Sequence, residues 1–308
     1  VKVLVTGATG FIGRALIKNL LSESYKVKAL VRNSSSLLPL AVQQVVIGDL
    51  KDLESSDPSR ALQEAFKNVD TVVHVAARVH VMKDKVCNPL DEFRKVNLNA
   101  TLVLARLSAE AGVKRFVFIS SIKVNGEMTE CFQSFKPDDV FVPSDPYGLS
   151  KYEAEKGLLS LVKETNMEVV IIRPPLVYGP GVKGNFARIM SLMSLGLPLP
   201  LGAIYNQRSM VALDNLISFI SLCIDRKKSL KASNQIFLIS DCNDISTTEL
   251  LMKIRRALNF QSKSRIKGWL VPFPVSVMIF FAKLVGKSDL AYRLFGSLQV
   301  DSSKCYDL

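Results

Sequence analysis

A tyrosine and a lysine four residues apart, Tyr147 and Lys151, are of residue types that could transfer a proton. Removing a hydroxyl proton while a hydride leaves the same carbon requires a base, and a free tyrosine, with a pKa of about 10, stays protonated at neutral pH. Tyr147 therefore needs positive surroundings, and Lys151, a helix N-terminus and an oxidised nicotinamide would together favour the phenolate. Ser121 would hydrogen-bond the reacting oxygen and orient it. These residue types predict coupled hydride and proton transfer at one carbon.

The same spacing occurs a second time, in Tyr152 and Lys156, so local context has to separate the two pairs. Residues 144–145 (Ser-Asp) can cap a helix and Pro146 suits its first position, which places Tyr147 in the first turn, near the positive end of the helix dipole. Tyr152 is five residues further on, about 140° around the helix, and must face elsewhere. We interpret Tyr152 and Lys156 as a solvated i,i+4 pair.

Three glycines, Gly7, Gly10 and Gly13, separate the first predicted strand from an apolar-periodic helix. Glycines at this position let the backbone turn tightly and approach a pyrophosphate, which then lies at the positive N-terminus of the helix. Because the glycines lie inside a strand-helix-strand unit, they predict a dinucleotide site.

The elements that position these residues alternate between short β-branched runs and amphipathic stretches, the pattern of a parallel sheet covered by helices. We expect an α/β fold, a Rossmann-type doubly wound parallel sheet with a smaller mixed α/β C-terminal domain. Residues 1–175 would bind the dinucleotide and residues 176–308 mainly the substrate, with part of 206–245 returning to the first domain. The predicted strands are 2–5, 26–31, 45–47, 71–75, 115–120, 168–172 and 235–239, and the predicted helices are 11–21, 89–111, 146–163 and 247–258, the last with Ser246 and Glu249 as a capping box.

Composition narrows the class of protein. The chain has 308 residues and a net charge of +12, but its basic residues are scattered and no nucleic-acid-binding motif accompanies them, so we expect no nucleic acid partner. Only His74 and His80 could supply imidazole ligands, so no metal site is expected. The odd number of cysteines, without a close pair, indicates a reducing cytoplasm and no disulfide framework. The cysteines are Cys87, Cys131, Cys223, Cys242 and Cys305.

Several motifs together resemble one family. They are TGATGFIG at 6–13, PYGLSKYEAE at 146–155 and RPPLVYGP at 173–180. The chain resembles the extended short-chain dehydrogenase/reductase family of nucleotide-sugar epimerases, dehydratases and reductases, the NAD-dependent epimerase/dehydratase type. The likeness covers most of the sequence, since Asp49 and Leu50 match its adenine-contacting pair and residues 74–77 match its HxAA element.

The resemblance implies roles for individual residues. Ser121, Tyr147 and Lys151 would be catalytic. Contacts to NAD or NADP are implied for Gly7, Thr9, Gly10, Phe11, Ile12, Gly13, Arg32, Asp49, Leu50, Ala76, Ala77, Asn97, Tyr147, Lys151 and Pro174. Substrate contacts are implied for Lys123, Asn185, Arg208 and Arg293.

The residues after Ser121 narrow the reaction. Family members that dehydrate sugars have an Asp-Glu pair there, whereas this chain has Ile122 and Lys123, and isoleucine cannot exchange a proton. A 4,6-dehydratase is therefore excluded. We expect hydride transfer at carbon 4 of a UDP-hexose or UDP-N-acetylhexosamine by a 4-epimerase, in preference to a 4-keto reductase that forms UDP-N-acetylquinovosamine. A dinucleotide-sensing regulatory protein on the same fold would not need the three catalytic residues.

Three further expectations concern partners. Arg32 closes the second strand where NAD-specific members carry an acid, which favours NADP mildly, although Arg32 could also stack on the adenine of NAD. Residues 268–282 carry no charge but include two prolines, and 15 residues are too few to span a bilayer. We therefore expect a buried or hinge-like helix of the second domain there, with an interfacial membrane contact as the alternative. We also expect a homodimer.

Overall fold

Seven strands form one parallel sheet, and two short strands pair separately. The computed structural model describes residues 1–53, 60–79, 88–130, 133–182, 184–261, 270–284, 286 and 288–308. The strands are β1 (Lys2–Thr6), β2 (Lys26–Val31), β3 (Gln43–Val46), β4 (Thr71–His74), β5 (Arg115–Ile119), β6 (Glu168–Arg173), β7 (Leu176–Tyr178), β8 (Met210–Ala212) and β9 (Gln235–Leu238). Their order in the large sheet is β3-β2-β1-β4-β5-β6-β9, and every neighbouring pair is parallel. This is the expected doubly wound sheet. Strands β2 and β3 extend it on one side of β1, and the later strands β4, β5, β6 and β9 extend it on the other side.

Helices cover both faces of the sheet and build the C-terminal part. They are α1 (Phe11–Ser22), α2 (Arg60–Phe66), α3 (Pro89–Arg94), α4 (Ala100–Glu110), α5 (Pro146–Glu164), α6 (Asn185–Ser194), α7 (Leu213–Ile224), α8 (Thr247–Gln261), α9 (Val275–Leu284) and α10 (Ser288–Phe295). The strand and helix predictions agree with these bounds to within a few residues. In the predicted capping box, the Ser246 hydroxyl accepts from the Glu249 amide at 3.0 Å, while the Glu249 carboxylate pairs with Lys253 at 3.0 Å.

One predicted helix is interrupted. The stretch 89–111 divides into α3, a π-helical turn at Lys95–Asn99, and α4. The turn contains the fully buried Asn97, whose side-chain amide donates to the Ser150 hydroxyl on α5 and to the Arg78 carbonyl, each at 3.0 Å. A single π-turn inside a helix commonly marks a functional position. Here it directs a polar side chain between β4 and α5.

The core has two layers, one on each face of the sheet. Val3 and Val5 of β1 point into a cluster with Leu16 of α1 and helix α7. Leu4, between them, points to the other face and packs with α4 and α5. Strands buried on both faces are the rule for parallel sheets that helices sandwich. This double burial holds rigid the strand ends that carry the site.

The C-terminal part has a smaller core. Strands β7 and β8 pair in parallel, and α6 and α8 share a cluster of Phe186, Met193, Leu251 and Ile254. Strand β9 joins the large sheet beside β6, although it follows β7 and β8 in the chain. The division into domains near residue 175 stays a prediction.

Candidate active site

The glycine loop after β1 is a cradle built from backbone alone. Gly7 has φ of +67°, and a side-chain carbon there would lie 2.6 Å from the Ala76 amide nitrogen. A side-chain carbon on Gly13 would overlap the Gly7 carbonyl. Gly10 is the N-cap of α1, and no side chain described in the structure caps that helix. Uncapped N–H groups behind a loop without side chains fit the pyrophosphate of a dinucleotide.

Arg32 and Asp49 mark the end of the cradle that the resemblance assigns to adenosine. Arg32 follows β2 and Asp49 follows β3, and their Nε and Oδ2 atoms are 3.4 Å apart. The Asp49 carboxylate also accepts from the Lys51 amide at 3.2 Å, which starts the 3₁₀ turn Leu50–Asp52. The Arg32 side chain is 71% exposed. The structure therefore brings these two predicted residues together at the surface.

The catalytic candidates meet where β5 ends and α5 begins. Ser121 caps the 3₁₀ turn Ile122–Val124 and accepts from the Lys123 amide at 3.3 Å. Its hydroxyl also forms a hydrogen bond with the phenol of Tyr147 in the first turn of α5. The Ile122 amide donates to the Pro174 carbonyl at 3.1 Å, which fastens the turn to the end of β6. Ser121 and Tyr147 are thus fixed side by side.

Burial governs the charge state of Tyr147 in the chain by itself. Burial is the largest influence and raises the pKa of Tyr147 to about 12, the hydrogen bond from Ser121 acts in the opposite direction, and the Asp145 carboxylate raises the pKa further. The protein groups alone therefore do not favour the phenolate. Burial dominates because the phenol is enclosed, and the negative Asp145, the N-cap immediately before the first turn of α5, acts in the same direction.

Lys151 is almost fully enclosed at the same edge. Its Nζ donates to the Ile119 carbonyl at 3.0 Å and lies 4.4 Å from the centre of the Phe118 ring. Burial lowers the pKa of Lys151 to about 7, although the negative charge of Glu155 acts in the opposite direction. An amine with this pKa exchanges a proton near neutral pH.

The second tyrosine pair lies apart from these contacts. The Lys156 ammonium lies 4.8 Å from the centre of the Tyr152 ring, a cation–π contact along the outer part of α5. The Lys156 side chain is exposed. The pair is a surface contact of the helix, as the angular argument from the sequence implies.

His74 is a structural residue. It is fully buried at the end of β4, with Nδ1 2.7 Å from the Thr6 hydroxyl and Nε2 3.0 Å from the Thr101 hydroxyl. Burial, helped by the positive charge of Lys151, lowers the pKa of His74 to about 3, so the ring is neutral. The Thr6 hydroxyl also accepts from the Ala76 amide at 3.2 Å. The imidazole thereby holds Ala76 against the glycine loop.

Sequence reasoning gave no role to a buried ionic network beneath the catalytic turn. Glu155 of α5 accepts from the hydroxyl of Ser120, the neighbour of Ser121, and pairs with Arg173 at 2.6 Å. The two charged side chains are only 3% and 6% exposed. Arg173 also donates to Asn125 at 2.9 Å. Both charged residues lie inside the quoted motifs, so the motifs could have pointed to them, but not to their pairing.

The structure describes the side chains of two of the four predicted substrate residues. The Lys123 ammonium, close to Ser121, is paired with Glu127 at 2.9 Å and with Asp145 at 3.2 Å. Arg208 donates to the Gly296 carbonyl at 2.9 Å, and burial lowers its pKa. Asn185 begins α6 and Arg293 lies in α10, but their side chains lie outside the described part of the structure. The substrate contacts of all four residues stay predictions.

Comparison with known proteins agrees with this geometry. Residues 3–239 match the model of the NAD dependent epimerase/dehydratase family. The chain is 46% identical over 303 residues to the UDP-glucose 4-epimerase of Vibrio cholerae, covering 98% of this chain and 87% of the relative. It is 28% identical over 319 residues to the N-acetyl-alpha-D-glucosaminyl-diphospho-ditrans,octacis-undecaprenol 4-epimerase of Escherichia coli O157:H7, covering 99% and 88% of the two chains.

Solved structures share the fold. The UDP-glucose 4-epimerase of Thermotoga maritima, determined with UDP-glucose, superposes with a TM-score of 0.74 at 21% identity, over 100% of this chain and 92% of that chain. The UDP-glucuronic acid 4-epimerase of Bacillus cereus, determined with NAD, gives 0.72 at 23% identity over the same shares. With the family model and the 46% identical relative, these matches lead to one conclusion: the chain belongs to the NAD dependent epimerase/dehydratase family.

Proposed function

We propose that the protein is a UDP-sugar 4-epimerase that keeps its dinucleotide bound through turnover. The observation that carries the proposal is the hydrogen bond between Ser121 and Tyr147 at the sheet edge that also bears the backbone cradle of Gly7. Ile122 and Lys123 follow Ser121, so the acid/base pair needed for dehydration is missing. The similar proteins of Vibrio cholerae and Thermotoga maritima are UDP-glucose 4-epimerases, which supports epimerisation of a UDP-sugar and favours it over the 4-keto reductase.

The residues divide the work between binding and proton transfer. When bound, the oxidised dinucleotide would supply a hydride acceptor for carbon 4 and a positive charge in the site. Ser121 orients the 4-hydroxyl by hydrogen bonding, and Tyr147 takes up the hydroxyl proton and returns it when carbon 4 is reduced from its other face. Tyr147 holds its own proton in the chain by itself, since burial raises its pKa to about 12. Proton uptake by Tyr147 thus depends on positive charge that arrives on binding.

The test uses the purified protein with dinucleotide in catalytic amounts. UDP-glucose and UDP-N-acetylglucosamine are supplied separately, and inversion at carbon 4 is followed by chromatography while nicotinamide absorbance is recorded. We expect conversion without net change in absorbance. Stoichiometric NAD(P)H oxidation with a UDP-4-keto-6-deoxyhexosamine, and no inversion of either UDP-sugar, would make the protein a reductase.

A further assay tests whether the sugar of the substrate is attached to UDP or to a lipid. The Escherichia coli relative is named for an undecaprenol-linked N-acetylglucosamine, so the same assay includes that compound in detergent. Conversion of the lipid-linked sugar with no turnover of UDP-sugars would contradict the proposed substrate class. Turnover of UDP-sugars alone would support it.

For the cofactor, we propose that NADP binds at least as tightly as NAD. The Arg32 side chain is 71% exposed, and its contact with Asp49 is a surface ion pair, which contributes little and can yield to a phosphate. A charge-assisted bond to the 2′-phosphate contributes about 1.5 to 3 kcal/mol. Titration of both dinucleotides into the protein and into Arg32→Asp should show a reversed preference in the variant. A tenfold preference of the unaltered protein for NAD would contradict the proposal.

We further propose a homodimer that works in the cytoplasm. The described cysteines, Cys223, Cys242 and Cys305, are free thiols, which fits a reducing compartment. Sedimentation equilibrium of the purified protein gives the mass that tests the dimer.

A further inference from the structure

Helix α9 presents an apolar surface to solvent. Eight of its ten residues are apolar, yet none of them is buried. Val277, Phe280, Phe281 and Leu284 fall within about 100° of one another around the helix axis, and we call them the α9 face. Phe280, Phe281 and Leu284 are 60%, 58% and 67% exposed. Because a helix that is apolar on every side normally lies in a core or in a membrane, the α9 face needs a partner.

The apolar surface extends beyond α9. Val271 and Phe273, just before the helix, are 42% and 38% exposed. The Val271 amide donates to the Leu199 carbonyl at 2.8 Å, which brings the segment after α6 alongside. That segment carries Leu195 and Leu197, which are 65% and 56% exposed. Contiguous apolar exposure of this kind marks an interaction surface.

The sequence around α9 is basic. Residues 246–295 contain nine Lys and Arg but two Asp and Glu, so this sixth of the chain holds +7 of the net charge of +12. Lys283 lies on α9 itself, about 60° around the helix from Phe280, and is exposed. Exposed aromatic residues beside basic ones suit a bilayer interface with anionic lipids. An acidic headgroup complements this charge, whereas a second copy of the same basic region would repel it.

The bilayer cannot be crossed by this element. Among the residues that the structure describes, no helix is both long enough and apolar enough to span a membrane. The ten residues of α9 are about half of what a span needs. An apolar helix that is too short to cross but exposed on one side can lie in the plane of the interface.

We propose that the α9 face docks the protein on anionic phospholipid membranes, with Phe280, Phe281 and Leu284 among the headgroups and Lys283 beside lipid phosphates. The docking is separate from the proposed function, because the α9 face contains none of the catalytic candidates, which lie where β5 ends and α5 begins. Turnover of a dissolved UDP-sugar therefore does not depend on it, and serves only as a check that a variant is folded.

The experiment is co-sedimentation of the full chain with vesicles. One set contains equal amounts of phosphatidylglycerol and phosphatidylcholine, and the other contains phosphatidylcholine alone. We expect about tenfold stronger binding to the anionic set, weakened by salt. The double variant Phe280→Ser/Phe281→Ser should lose about tenfold in binding, and Lys283→Glu should lose less. The matched control Leu37→Ser/Leu40→Ser replaces two apolar residues that are 63% and 106% exposed on the dinucleotide-binding side, and should bind like the unaltered protein.

Several results would overturn the proposal. They are failure of the unaltered protein to sediment with anionic vesicles, equal binding to both vesicle sets, and an equal loss in the Leu37/Leu40 control. Sedimentation equilibrium of the Phe280/Phe281 variant adds one more outcome. A fall in oligomeric mass without any vesicle binding would assign the α9 face to contact between copies of the chain.

Discussion

The edge where β5 meets α5 and the helix α9 depart from the usual burial pattern in opposite directions. At the first, the ionisable side chains of Lys151, Glu155 and Arg173 are buried among partners. At the second, Phe280 and Phe281 are exposed. Charged residues are rarely buried without a partner, and large apolar patches are rarely left exposed without a role. Both regions therefore carry costs in stability that a packed apolar core would not, and such costs are typical of functional sites.

The largest expected effect is at Tyr147. Tyr147→Phe should lower the turnover number by about 10² to 10⁴, because the ring remains but can no longer exchange a proton, a loss of about 3 to 5 kcal/mol. Dinucleotide affinity, measured by fluorescence titration, should be nearly unchanged. Tyr152→Phe is the matched control on the same helix and should be fully active. A dead Tyr152 variant with an active Tyr147 variant would reverse the assignment.

The next effect concerns the buried network. Glu155→Gln leaves the Arg173 guanidinium, 6% exposed, without its counter-charge, and we expect a loss of roughly 3 to 5 kcal/mol in the free energy of unfolding. Glu153, which lies on α5 like Glu155, forms a more exposed ion pair with Arg94 of α3. Glu153→Gln breaks this pair and should cost about 1 kcal/mol or less in the free energy of unfolding. Urea unfolding of both variants measures the difference. Equal losses would show that the network beneath Ser120 is no more important than a surface pair.

A smaller effect depends on pH. The pKa of Lys151 is about 7 in the folded chain against 10.5 for an ordinary lysine, so the unfolded chain binds more protons between these values. The free energy of unfolding should therefore rise with pH in that window, by about 1.4 kcal/mol per pH unit from this group, and Lys151→Met should remove that slope. Urea titrations of the dinucleotide-free protein from pH 7 to about 10 measure it. Identical slopes in the two proteins would mean that the ammonium is not desolvated.

The smallest effect is expected at α9. Phe281→Ala should change the free energy of unfolding by about 0.5 kcal/mol or less, because the side chain is 58% exposed. Phe116→Ala, at a fully buried position of β5, should cost about 3 to 5 kcal/mol. Thermal unfolding of both variants compares the two regions directly. A large loss at Phe281 would mean that α9 is held by packing and has no exposed face to offer.

Much of the fold could be predicted because its signals are local. The glycines after β1, Pro146 at the start of α5 and the short β-branched runs each depend on near neighbours in the chain, and they placed the strands of the large sheet to within a few residues. The π-turn at Lys95–Asn99 could not be predicted in this way. Its residue Asn97 bonds with Ser150, 53 residues further along the chain, a contact that no local pattern reports.

The site shows the same division. The motifs named Ser121, Tyr147 and Lys151, but the pKa directions of Tyr147 and Lys151 follow from burial, which only the packed structure sets. Residues 268–282 illustrate the converse, since their apolar composition favoured a buried or hinge-like helix, and no residue of α9 is buried in the structure. Composition reports what a segment would bury, but not whether the rest of the chain covers it.

The sequence by itself indicated the strands of the large sheet, the glycine loop after β1 and the place of Tyr147 in the first turn of α5, because turns, caps and helix phase depend on residues that are neighbours in the chain. Tertiary structure alone decided that Glu155 pairs with Arg173, that the Lys151 ammonium is desolvated, and that the α9 face is exposed to solvent. Each of these depends on which distant surfaces meet, and desolvation and hydrogen bonding act only once they have met.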